Sequence, residues 1–140
     1  MITARPGTVL DKPAFRKAAA RRRVLVPMGG YYEWQPNEHG PKTPYYLHGD
    51  EPLAAAGLYE LWRDHAMADD DPTRWLWSAT GITRPATDAL GHIHDRRPVL
   101  LPPQLWDAWL DPAITAADEV GAMLLHVTES ILIPREVGRA

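Results

Sequence analysis

The stretch Arg21-Arg22-Arg23-Val24-Leu25-Val26-Pro27-Met28-Gly29-Gly30-Tyr31-Tyr32-Glu33-Trp34 carries a β-branched apolar run into an aromatic surround that holds one carboxylate. Val24 to Val26 has strand composition and is bounded by Pro27. Gly29-Gly30 permits a tight turn, after which Tyr31 to Trp34 is expected to begin a second strand. Side chains alternate faces along a strand, so Tyr31 and Glu33 share one face while Tyr32 and Trp34 share the other. Glu33 is therefore the first candidate for chemistry. The competing reading is an exposed glutamate on a half-buried strand.

Working outward, 140 residues with 45% hydrophobic and 24% charged side chains fit one domain with one core. The formal net charge of −3 supplies no global attraction to nucleic acid or anionic lipid, so such binding needs a local basic patch. Arg16, Lys17, Arg21, Arg22 and Arg23 form one. The chain has no cysteine, which removes disulfides, thiolate metal sites and cysteine nucleophiles together. With no signal-peptide core and no apolar stretch long enough to span a bilayer, a cytoplasmic protein without membrane partners is expected, and a monomer. Six tryptophans stand against one phenylalanine, rings that supply core mass or, where exposed, stacking surfaces for bases.

Asp11-Lys12-Pro13 reads as a helix start, with the helix running from about Pro13 to Arg22; Phe15, Ala18 and Ala19 face inward and Arg16, Lys17 and Arg21 face solvent. Gln35 to Thr43 is a polar loop, Pro44 to His48 a strand, Gly49 to Pro52 a turn, and Leu53 to Trp62 a longer strand interrupted at Gly57. Arg74 to Ile82 alternates around Trp75, Trp77 and Ala79 as a buried strand. Thr83 to Leu90 is expected as a short helix ending at Gly91. Pro102-Pro103 opens a helix through Trp106 and Trp109 to Leu110, and Ala122 to Thr128 is a final strand. The tail after Glu129 has no usable periodicity. Asp69-Asp70-Asp71 invites a metal, but adjacent like charges without ligand spacing read as a solvated loop.

His92-Ile93-His94-Asp95-Arg96-Arg97-Pro98 places two imidazoles, a carboxylate and two guanidiniums before an apolar strand. The two histidines, two residues apart, could share a metal, yet no third ligand stands at a recognisable spacing; no metal and no cofactor are expected. Proton transfer is the better use of His94, with Asp95 or a backbone carbonyl fixing its tautomer. Arg96 and Arg97 suit phosphate. Against this stands a turn histidine flanked by surface arginines.

Ala4-Arg5 with Thr8, Lys12 to Phe15, Arg22 to Trp34, Gly57-Leu58-Tyr59-Glu60, Thr80, Thr83 and His94-Asp95-Arg96 with Pro98 together resemble the SRAP family (SOS response-associated peptidases, abasic-site processing proteins). The likeness keeps order and spacing from about Ala4 to Leu110. It implies an α+β domain over residues 1–140 with a curved, mainly antiparallel, barrel-like sheet and a few flanking helices. It also implies a protein of the DNA damage response that binds single-stranded DNA and cross-links to abasic sites, with associated peptidase and lyase activity. By this resemblance Glu33 and His94 fall on the family's catalytic glutamate and histidine, and Arg5 and Arg96 on phosphate-holding positions. The family's nucleophile is a cysteine directly after the initiator methionine, whose amine and thiol close a thiazolidine on the sugar aldehyde. This chain departs there, reading as an N-terminally shortened member. Its motif is Thr3-Ala4-Arg5-Pro6-Gly7-Thr8 where the family has Asn-Ala-Arg-Ala-Glu-Thr, and Arg97 replaces a methionine. Two other functions stay open beside abasic-site processing: a non-catalytic single-strand DNA binder using Arg5, Arg21 to Arg23 and Arg96, or a structural, protein-binding domain.

Overall fold

The computed structural model describes residues 10–86, 93–125 and 132–138. Helix α1 (Pro13–Arg21) opens with proline at its first position and buries Ala18 and Ala19, as the spacing of its apolar residues dictates. Lys12, not Asp11, is the N-cap residue, and it makes no side-chain cap; Asp11 instead offers its carbonyl to Arg16.

Two long strands carry the molecule. β1 (Arg23–Asn37) and β2 (Gly40–Arg63) pair antiparallel from Arg23↔Leu58 to Asn37↔Gly40. The tight turn expected at Gly29-Gly30 is absent: β1 runs through it with a register shift between Met28 and Gly30. On the facing strand the pairing jumps from His48 to Leu53, so Gly49 to Pro52 bulge opposite Gly29 alone. The bulge takes the place of the expected turn and leaves β2 one continuous strand. Glycine is required at position 30, where a Cβ would lie 2.5 Å from the Leu47 carbonyl oxygen and 2.5 Å from the Tyr46 ring.

Because β2 is so long, different strands flank its two ends. Strand β6 (Ile133–Glu136) pairs with Tyr45 to His48, while β3 (Trp75–Gly81) pairs with Gly57 to Arg63. A second small sheet joins β4 (Thr83–Pro85) to β5 (Arg96–Pro98) and hooks onto β2 through hydrogen bonds from Ile82 to Ala56, Ala56 to Val99 and Leu101 to Ala54. The architecture is thus α+β with a curved antiparallel sheet. The sheet is open rather than closed, β3 having β2 as its one partner among the described residues.

Residues Leu53 to Leu58 are buried on both faces, and they divide the core in two. One cluster packs Leu58, Ile82, Val99 and Trp109 under α1 and the helices α2 (Trp106–Leu110) and α3 (Ala117–Leu125); the other gathers Leu47, Leu53, Ala55, Ile93, Leu100 and Leu132, with Tyr31 and Tyr45 at its margin.

Three further expectations are corrected, and the tail, for which none was made, gains a strand. Thr83 to Pro85 is a strand, its chain held by Pro98 and Arg97 across β5, and the rest of the expected helix lies outside the described residues. Ala122 to Leu125 belongs to α3, a short apolar run whose period does not distinguish helix from strand. The unperiodic tail forms β6, half of whose pairing partners are tyrosines. Strand β3, expected buried, is exposed along Trp75 to Ala79.

Arg23 belongs to no basic surface. Its buried guanidinium donates to the carbonyls of Ala19 (2.9 Å) and Ala20 (3.0 Å) at the end of α1 and of Trp109 (2.6 Å) and Asp111 (2.7 Å) at the end of α2. It closes two helix C-termini at once, stacked 5.5 Å over the Trp109 ring. Burial lowers its pKa and Asp111 partly restores it. Arg22 is also committed, to the Tyr59 carbonyl and, at 2.8 Å, to Glu60.

Candidate functional site

Glu33 lies in β1 opposite Tyr45, on the face that the alternation assigns it with Tyr31; Tyr32 and Trp34 are on the outer face, 59% and 50% exposed. His94 arrives from the far side. Its neighbour Ile93 is buried in the second core cluster, and the Asp95 carbonyl accepts from the Ala86 amide, so the segment leading into β5 is anchored on both sides of the imidazole. The two residues meet with His94 Nε2 4.0 Å from Glu33 Oε2. That is beyond direct hydrogen bonding and leaves room for a bridging water or a substrate atom.

The other ring nitrogen fixes the imidazole's orientation. Nδ1 is 2.9 Å from the Arg96 carbonyl oxygen and 3.1 Å from the Arg96 amide, roles that exclude each other. Asp95, with a carboxylate oxygen 3.4 Å from the same nitrogen, favours a proton there, so Nδ1–H donates to the Arg96 carbonyl and the ring presents Nε2 to Glu33. Both partners foreseen for the tautomer, Asp95 and a backbone carbonyl, are present.

Glu33 is largely covered, its side chain 23% exposed against 43% for His94 and 90% for Asp95. Burial raises its carboxyl above the ordinary glutamate value; His94 and a hydrogen bond from the Trp34 backbone pull it back, and Asp95 adds to the rise. The site thus sets a largely covered carboxyl with a raised pKa opposite a half-exposed imidazole, two titratable groups facing one small space.

Arg96 reaches across the small sheet to the backbone carbonyl and hydroxyl of Thr83. Arg97, buried, lines the same cleft with Tyr31, Leu47, Ala86 and Ile93. The cleft encloses only about 10 Å³, about the space of one water. Arg5 and His92 lie outside the described residues. Sequence reasoning placed Glu33, His94 and Arg96 but missed Arg97 as a wall of the cleft and Tyr45 as the cross-strand neighbour. Counting pairs back from Asn37↔Gly40 would have pointed to Pro44, because the register shifts by one residue between Gln35 and Asn37.

Of the other charged candidates, Asp71 accepts from the Thr73 amide and hydroxyl at the start of a 3-10 turn and Asp69 pairs with Arg63, which gives both structural uses. Among the described residues no helix is long and apolar enough to cross a membrane.

The sequence pattern of the family described as SOS response associated peptidase (SRAP) matches residues 1–140. The abasic site processing protein YoaM of Bacillus subtilis is 35% identical over 127 residues, covering 89% of this chain and 53% of the relative. YoqW of Bacillus phage SPbeta, named likewise, is 34% identical over 126 residues, 89% of this chain and 54% of the relative. A crystal structure of a phage-related protein from Bordetella bronchiseptica superposes with a TM-score of 0.77 at 34% identity, over 99% of this chain and 64% of its own. One from Bacteroides thetaiotaomicron gives 0.80 at 26% identity, over 97% and 58%. The chain spans about half the length of the curated relatives it matches.

Proposed function

Since the chain belongs to the SOS response associated peptidase (SRAP) family, we propose that it works on abasic sites in single-stranded DNA. The observation that carries this reading is the meeting of Glu33 and His94 at 4.0 Å, from segments far apart in sequence, with Arg96 beside them. An abasic sugar in its open form presents an aldehyde. An amine adding to it gives a carbinolamine, and loss of its hydroxyl as water gives an imine. That leaving hydroxyl needs a proton, which a protonated Glu33 supplies, while the free Nε2 of His94 takes the proton shed by the attacking amine. Arg96 holds the neighbouring phosphate, with Arg5 as a second phosphate contact. The same acid and base serve the peptidase and lyase chemistry that the family resemblance brings.

In the thiazolidine route, a thiol adds to the imine carbon. The 140 residues contain no cysteine, so the chain by itself stops at a reversible imine. Incubated with single-stranded abasic DNA, it is expected to leave no adduct that survives heating in denaturant; a persistent shifted band overturns that expectation. Placing an N-terminal segment that begins Met-Cys-Gly-Arg ahead of the chain is expected to restore the cross-link. In that fusion Glu33→Gln and His94→Ala should each slow adduct formation by about 100-fold or more. If the fusion cross-links and neither substitution changes the rate, Glu33 and His94 have no part in the chemistry.

The missing thiol specifically favours a second reading, binding to single-stranded DNA without catalysis. Its cations differ from those expected, because Arg22 and Arg23 are spent on the fold.

A further inference from the structure

Of the cations gathered around α1, the fold itself engages two. Arg22 is held by Glu60 and Arg23 by helix carbonyls, whereas Lys12, Arg16, Lys17 and Arg21 are exposed and, among the described residues, form no ion pair. Arg16 donates to the Asp11 carbonyl, a contact that leaves its charge in place. The arrangement works against the helix. From Pro13 to Arg21 there is no acidic residue, so Lys12 and Arg16, and likewise Lys17 and Arg21, stand one helical turn apart as like-charged pairs with nothing in the helix to offset them. Lys12 occupies the N-cap, where a side-chain acceptor is preferred, and the positive end of the helix dipole repels both it and Arg16. Arg21, in the last turn, stands where the dipole favours a cation.

Local stability would place acids on this helix. A surface of cations kept on a chain whose net charge is −3 points instead to an anionic partner that neutralises them. The chemistry of that partner follows from the rest of the helix. Phe15, Ala18 and Ala19 are packed into the core, so α1 has no apolar face left to enter a lipid surface, as interfacial helices do. From Lys12 to Arg21 the cations extend over roughly 14 Å at the helical rise, a length in which one DNA strand at duplex spacing carries about four phosphates.

We propose that the exposed side of α1 binds the phosphodiester backbone of DNA, without regard to base sequence, at a place separate from the cleft of Glu33 and His94. Ala18 and Ala19 pack α1 into the core cluster of Ala56 and Leu58, while the cleft adjoins the cluster of Leu53 and Ala55 through Leu47 and Ile93. Ala55 and Ala56 are neighbours in β2 and point to opposite faces, so helix and cleft lie on opposite sides of the sheet. The backbone held by α1 is therefore that of DNA flanking the nucleotide at the cleft. This rests on the reading of the chain as a DNA-binding protein and not on any chemistry at Glu33 or His94.

The test uses the whole chain and, as probe, an unmodified single strand of about 30 nucleotides, roughly twice the largest site of one single-strand-binding fold. Affinity is followed against salt. The variant carrying Lys12→Gln, Arg16→Gln, Lys17→Gln and Arg21→Gln is expected to bind about tenfold more weakly or worse and to lower the log–log slope by about 2 to 3, at about 0.7 per phosphate. A charge-preserving set, Lys12→Arg, Arg16→Lys, Lys17→Arg and Arg21→Lys, should keep the parent slope. Urea unfolding checks that the glutamine variant is folded; if it is not, the pair Lys17→Gln and Arg21→Gln is read in the same way, with about half the change in slope. A slope unchanged by the glutamine substitutions overturns the proposal, and if Arg96→Ala lowers it in the same experiment the abasic-site reading still stands. A slope lowered by them while the fusion fails to cross-link abasic DNA sinks the catalytic reading and upholds this one. Tighter binding to phosphatidylserine vesicles than to DNA at equal phosphate, lost in the glutamine variant, overturns the proposal in favour of a lipid surface.

Discussion

Glu33 shows how far one side chain's surroundings set its chemistry. Its face was legible from strand alternation, but its burial and the imidazole beside it come from a segment that closes over it from β5. The raised carboxyl has a thermodynamic consequence of definite sign. The folded protein holds this proton to higher pH than the unfolded chain does, so the contribution to stability is fully present below the ordinary glutamate value and is lost as pH rises through the folded value. Glu33→Gln removes the buried charge. Its melting temperature relative to the parent should therefore rise as pH is taken from below the ordinary glutamate value to neutrality; a difference independent of pH would contradict the burial assigned to Glu33. Arg23 makes the complementary point. Read as part of a basic cluster, it proves to be a clamp on four carbonyls. Arg23→Met should lose about 3 kcal/mol in urea unfolding, with Arg23→Lys recovering only part, because an ammonium cannot reproduce the planar fork.

Among the elements, β1 and β2 decide where the site lies, and their bend rests on glycine. With a Cβ at position 30 driven to 2.5 Å from the backbone oxygen of Leu47, the strand pair must separate at the bulge that aims Glu33. Gly30→Ala is expected to cost about 2 kcal/mol, whereas Gly40→Ala, with nothing within 4 Å of the new methyl, should be near neutral. Equal stability of the two variants, followed by denaturant unfolding, would remove the steric account. The helix α1 was read to within a residue because its apolar spacing and its proline are local signals. The last turn of α3, from Ala122, was read as the start of a strand, since Ala122-Met123-Leu124-Leu125 is too short for period to choose.

For the whole molecule, the net charge of −3 means that any DNA affinity comes from a few placed cations. On single strands each neutralised phosphate adds about 0.7 to the log–log salt slope, so Arg5→Ala and Arg96→Ala should each lower affinity and reduce the slope by about that amount. Arg22→Ala, a residue whose charge already pairs with Glu60 at 2.8 Å, should leave the slope unchanged. A salt titration of all three variants separates phosphate contacts from structural arginines. If Arg5 and Arg96 behave like Arg22, the phosphate assignment falls.

By itself the sequence determined the family, the α+β class, the faces of α1 and of the Tyr31–Trp34 segment, and the candidacy of Glu33, His94 and Arg96. All of these rest on local periodicity or on motif order, which neighbouring residues carry. Tertiary structure alone decided that Glu33 and His94 meet, that Arg97 walls their cleft and that the enclosed space between them is about that of one water. It also decided that Arg23 caps helices and that β3 lies bare. The physical reason is common to these: which groups a side chain meets, and whether water reaches it, depend on strands brought together from distant positions. The alternation of Trp75, Trp77 and Ala79 reads the same whether a neighbouring strand covers it or not.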